Sequence, residues 1–479
     1  MRVRINPHRF SGEVKIPASK SHTIRQLLIA SLADGVSEIQ YPLDSLDARS
    51  CVSACEAFGA EITEYRAVDD PCPNPANENG EKLIGWKVSG NNGFKKKIKP
   101  RRSRSYTEEE NDCELRLRGT PCSSAVKNSS IVSVIDVGNS GTTLYLALAV
   151  AGLQGEPVEF IGDEQIQKRS AAPLLEALAG LGIQSRSNNG CAPITVNGPW
   201  KGGKVSLPCP TSQYLSALLI ASPLAPVGTV TEIEVPLLNE KPYIEMTLSY
   251  LKTHGVPFEA APDFSRFVIP GGSSWKAFSR SVPGDFSSAA FPAAAAAISG
   301  GPVTLLGLEP EDTQGDKFFF EILSSMGCDV FWHGGENGRS LTVSRDSPLR
   351  GGTFDLNATP DLLPAAAAVA AYAEGDTALV NVAHARIKET DRITVMAQEL
   401  AKLGINCTEL PDGLIIHGKG TLSPPDLNPV IDGHGDHRIV MAFAAAALGS
   451  KVPVEITGAQ SAAVTYPGFL STLGAQQTG

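Results

Sequence analysis

The sequence predicts an α/β protein of two similar domains, each made of three repeated αβ units around buried helices. Three observations carry this expectation. The chain has 479 residues, 42% of them hydrophobic and 19% charged, more than one ordinary core absorbs. An amphipathic helix ending in a bulky residue, a glycine and a small apolar residue recurs six times, its glycines at Gly59, Gly182, Gly255, Gly327, Gly404 and Gly474. An Ala-rich helix, apolar all round, recurs as well and runs to Gly300, Gly375 and Gly449, with fainter echoes at Gly35, Gly155 and Gly228.

Each unit reads strand, apolar helix, strand, amphipathic helix, strand. Glycine closes the amphipathic helices because it adopts the left-handed cap conformation at no steric cost. Successive cap glycines lie 123, 73, 72, 77 and 70 residues apart. A helix apolar on every side must be buried, with the amphipathic helices and sheets around it, and three such helices per half give two domains. The long first interval signals an insertion at about 66–130. It holds PCPNPANENG and then FKKKIKPRRSRSYTEEEND, where seven basic residues from Lys95 to Arg104 precede an acidic run. That basic charge is answered locally, so the segment reads as a peripheral charged insertion rather than a nucleic-acid patch.

A net charge of −10 argues against nucleic acid or an anionic membrane as partner. The chain lacks an uninterrupted apolar stretch of spanning length, and its start, MRVRINPHRFSGEV, has no signal-peptide core. Nine scattered cysteines fit reduced cytoplasmic thiols better than a disulfide framework. Cys51 and Cys55 sit one helical turn apart with no second pair nearby, which favours packing over zinc.

Polar clusters gather where helices begin: SKSHTIR (19–25), GNSGTT (138–143), QKRS (167–170), TSQ (211–213), GDFSS (284–288), TPD (359–361), KETDR (388–392) and GDHR (435–438). Any one of them alone is an N-cap. Together they place several helix N-termini, with their free N–H groups and positive dipole ends, beside Lys20, Arg25, Arg169, Lys388, Arg392 and Arg438. That combination predicts a basic pocket for anionic ligands within an acidic chain. Other chemistries fit less well. GNSGTT lacks the lysine of a P-loop, and neither HExxH nor GxSxG occurs. DGHGDHR offers Asp432, His434, Asp436 and His437, but Arg438 would repel a cation and no matching set stands elsewhere. No metal and no cofactor is expected.

In this order, SKS…R, GNSGTT, SQYLSALL, KPYIEMT, VPGDFSSAAF, KETDR and DHR resemble the 3-phosphoshikimate 1-carboxyvinyltransferase (5-enolpyruvylshikimate-3-phosphate synthase) family, over nearly the whole chain outside the insertion. The resemblance implies two inside-out αβ barrels with a cleft between them, residues 1–18 joining 284–479 and residues 19–283 forming the other domain. It implies transfer of the enolpyruvyl group of phosphoenolpyruvate to the 5-hydroxyl of shikimate 3-phosphate, with release of phosphate. Carried over by position, phosphoenolpyruvate is held by Lys20, Asn139, Gly141, Arg169, Gln213, Arg392 and Arg438. Shikimate 3-phosphate is held by Lys20, Ser21, Arg25, Thr211, Ser212, Gln213, Tyr243, Asp361 and Lys388. Asp361 is the implied base for the hydroxyl, Glu389 the implied proton donor to the methylene carbon, and Lys20 the third catalytic residue. A cytoplasmic monomer acting on small anions, without nucleic-acid or membrane partners, is expected.

Five positions depart from the family pattern: Val464 stands for Lys, Glu240 for Ser, His384 for Asn, Tyr145 for Arg and Thr211 for Ser. The sister transferase that acts on UDP-N-acetylglucosamine is disfavoured, because Glu164 stands where its loop cysteine belongs. Two alternatives stay open at this point: an enolpyruvyl transferase with a different acceptor hydroxyl, and a non-catalytic anion-binding relative.

Overall fold

The computed structural model describes residues 1–90, 133–334 and 339–478. Six sheets share one plan, in which two parallel strands are followed by two antiparallel ones. In four of them the parallel pair is consecutive in the chain and a buried helix makes the crossover. Ser133–Asp136 leads through helix Gly141–Ala151 to Val158–Ile161, and Gly203–Ser206 through Gln213–Ala221 to Val230–Glu234. Thr353–Asp355 leads through Leu363–Ala370 to Ala373–Val380, and Val430–Asp432 through His437–Ala447 to Val454–Thr457.

The remaining two sheets exchange strands. Gly12–Lys15 pairs in parallel with Val303–Leu306, and Ser279–Ser281 with Val36–Gln40. Helices Lys20–Leu32 and Phe286–Ser299 follow the two exchanged strands. Strand Arg2–Ile5 completes the last sheet, between Val454–Thr457 and Gln476–Gln477. The crossing segments bond to each other: Ser19 N donates to Pro283 O at 2.8 Å and Asp285 N to Pro17 O at 2.9 Å. Gly284 is required here, since a Cβ on it would lie 2.5 Å from Gly307 O.

Two apolar cores result. One runs from Ala18 to Val282; the other joins Val3, Ile5, Phe10, Val14 and Ile16 to residues between Phe286 and Leu473. The six amphipathic helices, Leu46–Ala57, Ala172–Gly180, Lys241–His254, Phe318–Ser325, Arg392–Lys402 and Phe469–Thr472, each end just before their predicted glycine. All six glycines have positive φ, between 68° and 102°.

Three expectations need correction. Each amphipathic helix before the last leads into two antiparallel strands rather than the single strand expected, as in Gln184–Asn188 with Cys191–Asn197. The Ala-rich helix does not reach Gly375: it stops at Ala370, and Gly375 lies within strand Ala373–Val380 at φ 88°. Pairing of Gly375 with Gly418 on strand Gly413–Lys419 overrides the helix preference of the alanines. The insertion does not begin at residue 66. Glu81–Ser89 is a central strand between Val36–Gln40 and Glu61–Val68, and Trp86 on it is fully buried. The basic run from Lys95 to Arg104 and the acidic run after it lie outside the described residues. Trp86→Ala should therefore destabilise the protein by about 3–5 kcal/mol, the usual cost of removing a buried Trp side chain. Urea denaturation measures this, and an unchanged midpoint would return the strand to the insertion.

Candidate functional site

All eight helix-start clusters send residues to one cavity, but only five cap their helices; QKRS, TSQ and TPD make no side-chain N-cap bond. Ser19, Ser140, Asp285, Asp391 and Asp436 accept backbone N–H bonds as N-caps. Ligand-sized polar groups come one or two residues later, so each cap fixes the start of the turn that presents them. Lys20, Ser21, Arg25, Gly141, Arg169, Ser212, Gln213, Tyr243, Asp361, Lys388, Glu389 and Arg438 all line this cavity. The other predicted residues stand behind or beside it. Arg392 is fully buried against Asp361 and Glu389. Asn139 Oδ1 accepts from Arg169 Nη2 at 3.4 Å, and Thr211 lines the neighbouring cleft. Gly141 leaves room for Arg169, whose Nη1 would lie 2.7 Å from a Cβ placed there.

Most of the cations are held by carboxylates. Arg392 donates through Nε and Nη2 to Asp436 at 2.8 and 3.2 Å, through Nη1 to Asp361 at 2.8 Å, and through Nη2 to Glu389. Arg438 bonds Asp361 Oδ2 at 2.9 Å and Ser287 Oγ at 2.6 Å. Arg169 meets Glu389 at 3.3 Å, Lys20 meets Asp47 at 3.2 Å, and Lys388 meets Glu240. Arg25 differs. Its buried guanidinium donates to Thr247, Ser216 and the carbonyls of Ser21 and Tyr243, all neutral. Burial lowers its pKa to about 10, which leaves it a cation at neutral pH.

These pairings set the ionisation of the two carboxylates of interest. Burial works to raise Asp361, but Arg438, Lys388 and Arg392 more than offset it and hold it far below the usual range. Burial likewise opposes, and Arg392 and Arg169 outweigh it, so Glu389 is also held well below its ordinary value. His437 is neutral, pushed down to about 3 by burial despite Glu389 and Asp436 nearby. Arg169 Nε and Gln213 Oε1 are buried and bond to none of the described residues, so each can serve a ligand.

Sequence reasoning missed several residues in or next to the cavity. Asp47, Gln314 and Asp316 come from SLD and TQGD, segments not singled out. Gln314 Nε2 donates to Gly284 O at 2.9 Å and steadies the crossing. Asp316 accepts from the Tyr243 hydroxyl at 3.2 Å, and burial together with Asp361 pushes its pKa up to about 7. The repeat was the available signal, since SLD, QKRS, NEKP, TQGD and KETDR occupy equivalent places before successive amphipathic helices. The run at 432–438 disperses: Asp436 pairs with Arg392 and His434 with Glu399 at 2.9 Å. Among the described residues no group of three or more His, Cys, Asp or Glu is placed to hold a metal. Tyr145 stacks edge-on against Tyr214 at 5.0 Å, His384 Nε2 contacts Asn357 O at 3.1 Å, and Val464 ends the turn Ala459–Val464.

Comparison with known proteins gives consistent matches. The family profile described as EPSP synthase (3-phosphoshikimate 1-carboxyvinyltransferase) matches residues 5–82 and 105–473. A protein named 3-phosphoshikimate 1-carboxyvinyltransferase from Acetivibrio thermocellus is 40% identical, covering 99% of this chain and 97% of its own length. Another of that name, from Ruminiclostridium cellulolyticum, is 38% identical over 99% of this chain and 98% of its own. A solved EPSP synthase from Acinetobacter baumannii superposes with a TM-score of 0.74 at 26% identity, covering 99% of this chain and 100% of that one.

The ion pairs around Arg392 give a prediction that is independent of any ligand. Arg392→Ala leaves Asp436, itself fully buried, without its main counter-ion. Stability at pH 7 should fall by about 3–5 kcal/mol, the cost of breaking a buried pair by removing one partner. A loss below about 1 kcal/mol in urea denaturation, typical of an exposed pair, would mean that Asp436 finds another partner.

Proposed function

The chain belongs to the EPSP synthase (3-phosphoshikimate 1-carboxyvinyltransferase) family and transfers the enolpyruvyl group of phosphoenolpyruvate to shikimate 3-phosphate; from this we propose that the cation-lined cavity is its active site. The convergence of Lys20, Arg25, Arg169, Lys388 and Arg438 on the cavity, with Arg392 buried behind it, is the observation that carries the reading. Both substrates are polyanions, and guanidinium forks and helix N-termini are the groups that bind phosphate and carboxylate.

In this reading Lys20, Arg169, Arg392 and Arg438, with Asn139, Gly141 and Gln213, hold phosphoenolpyruvate. Ser21, Arg25, Thr211, Ser212, Tyr243 and Lys388, with Lys20, Gln213 and Asp361, hold shikimate 3-phosphate. Arg25 supports the assignment, because a buried guanidinium with only neutral partners is available to an anion. Val464 adds no cation, so four remain for phosphoenolpyruvate. The two units, residues 1–18 with 284–479 and residues 19–283, close about the paired crossings; the division of the cores at Ala18 and Val282 supports this. We also read the chain as a cytoplasmic monomer. The support for the compartment is that all seven cysteines among the described residues are free. No helix among those residues is long and apolar enough to cross a membrane.

The chemistry follows from the two carboxylates. Asp361, ionised by its three cationic neighbours, takes the proton of the 5-hydroxyl as that oxygen attacks C2 of phosphoenolpyruvate. Glu389 gives a proton to C3, which becomes a methyl group. The C2–O bond to phosphate then breaks while a C3 proton returns to Glu389. The double bond is restored on the new ether, and the proton from the hydroxyl leaves with phosphate. Glu389 must be protonated to start, yet Arg392 and Arg169 keep it ionised in the free site. Phosphoenolpyruvate supplies the change: its anionic groups engage both guanidiniums and place negative charge beside Glu389, which raises its pKa.

An assay of phosphate release from phosphoenolpyruvate, with and without shikimate 3-phosphate, tests the reading. Release should require the acceptor, and Glu389→Gln should lower kcat by about 10²–10⁴-fold, the range for a general acid–base group. Turnover of Glu389→Gln near the wild-type rate would remove Glu389 from the proton transfer.

A further inference from the structure

Glu240 occupies a place its chemistry does not suit unless it is acting for something else. It is buried, at 2% exposure, and its backbone is left-handed at φ 58° and ψ 42°. A non-glycine residue there carries conformational strain of the kind found at functional sites. It stands at the N-cap of helix Lys241–His254, yet its side chain caps nothing. The carboxylate turns instead to four donors. Oε2 accepts from Thr211 Oγ1 at 3.1 Å, Ser212 N at 3.0 Å and Ser212 Oγ at 2.8 Å, and Oε1 accepts from the Lys388 ammonium.

One N–H at the start of helix Gln213–Ala221, two hydroxyls and an ammonium make a cradle for a tetrahedral oxyanion. In the function proposed above, on which this inference rests, these groups hold the acceptor, and Lys388 and Ser212 are suited to its phosphate. The phosphate and the Glu240 carboxylate would compete for the same donors. Two anions sharing one set of donors also repel each other. The cradle is also where the two halves meet: Lys388 and Glu240 come from different cores, and Glu240 N donates to Asn357 O at 3.3 Å.

We propose that Glu240 is an internal stand-in for the phosphate of the acceptor. It neutralises Lys388 and ties the halves together when the acceptor is absent, and it must leave the cradle when the acceptor binds. Glu240 is then a specificity-determining residue: it raises the KM for shikimate 3-phosphate without touching the reacting carbons.

Steady-state kinetics at saturating phosphoenolpyruvate, with shikimate 3-phosphate varied, test this in three variants. Glu240→Ser should lower the KM for the acceptor roughly tenfold, since the phosphate gains charge-assisted bonds without a rival. Its kcat and its KM for phosphoenolpyruvate should stay within about a factor of two, as expected when only uniform acceptor binding changes. Glu240→Gln keeps the side-chain size and drops the charge, so it moves the acceptor KM the same way even if the serine variant fails to fold. Ser212→Ala tests the cradle on its own and should raise the acceptor KM about five- to tenfold. If Ser212→Ala raises that KM while neither Glu240 variant lowers it, Glu240 is an ordinary structural ion pair and the inference is overturned. If Ser212→Ala leaves the KM unchanged, the cradle does not hold the acceptor and the underlying assignment falls with it.

Discussion

A guanidinium removed from water must find an acceptor for each donor, and the side chain of Arg392, fully buried, does so by drawing in Asp436, Asp361 and Glu389. These three carboxylates come from three different segments of one core, so satisfying a single cation fixes their relative positions. Asp361 then reaches Arg438 with its second oxygen, and Glu389 reaches Arg169 across the cleft. Pairs of this sort add little net stability against an apolar core, because desolvation consumes most of the Coulombic gain. What they give is geometry: two carboxylates held near each other, both ionised, each lying against cations that an anionic substrate can take over.

In the proposed function, exchange of anions lets a chain of net charge −10 handle two polyanions. Each cation except Arg25 carries a protein carboxylate in the free site, so the charge is balanced before any ligand arrives. Several of the bonds span the two halves. His22 meets Asp312 at 3.1 Å, the Tyr243 hydroxyl donates to Asp316 at 3.2 Å, and Asn357 donates to Asn239 at 3.0 Å. The halves are also linked by two antiparallel crossings rather than one tether. In the proposed function, substrate anions replace the internal ones at the cavity cations, while these bonds between the halves stay in place.

The sequence disclosed the repeat, the cap glycines and the clusters at helix starts, because each depends on local rules of spacing and backbone conformation. Gly255 and Gly404 could be placed without any knowledge of their neighbours. What it hid depends on contacts made far along the chain. Gly375 sits in a strand because Gly418 pairs with it. Glu81–Ser89 fell inside the expected insertion because its partners, Val36–Gln40 and Glu61–Val68, are what identify it as central. Asp316 drew no notice as a short acidic residue in a loop, and only the packing of that loop against Tyr243 and Asp361 gives it a role. Glu240 was visible as a departure, but its orientation was not. Its four bonds to Thr211, Ser212 and Lys388 join segments that only the fold brings together.

In the proposed reaction, phosphoenolpyruvate takes Arg392 and Arg169 from Glu389 and so allows that carboxyl to become an acid. Isothermal titration of phosphoenolpyruvate measures this most directly, run in buffers of different ionisation enthalpy with a non-reacting acceptor that lacks the 5-hydroxyl. In the free enzyme Glu389 is deprotonated at neutral pH, its pKa being held low. If binding raises that pKa, the complex takes up protons, and affinity weakens as pH rises. The wild type should therefore take up more protons than Glu389→Gln, by up to about one per site. Equal proton counts in the two proteins would mean that Glu389 keeps its charge in the complex, and the proton for C3 would have to come from another group.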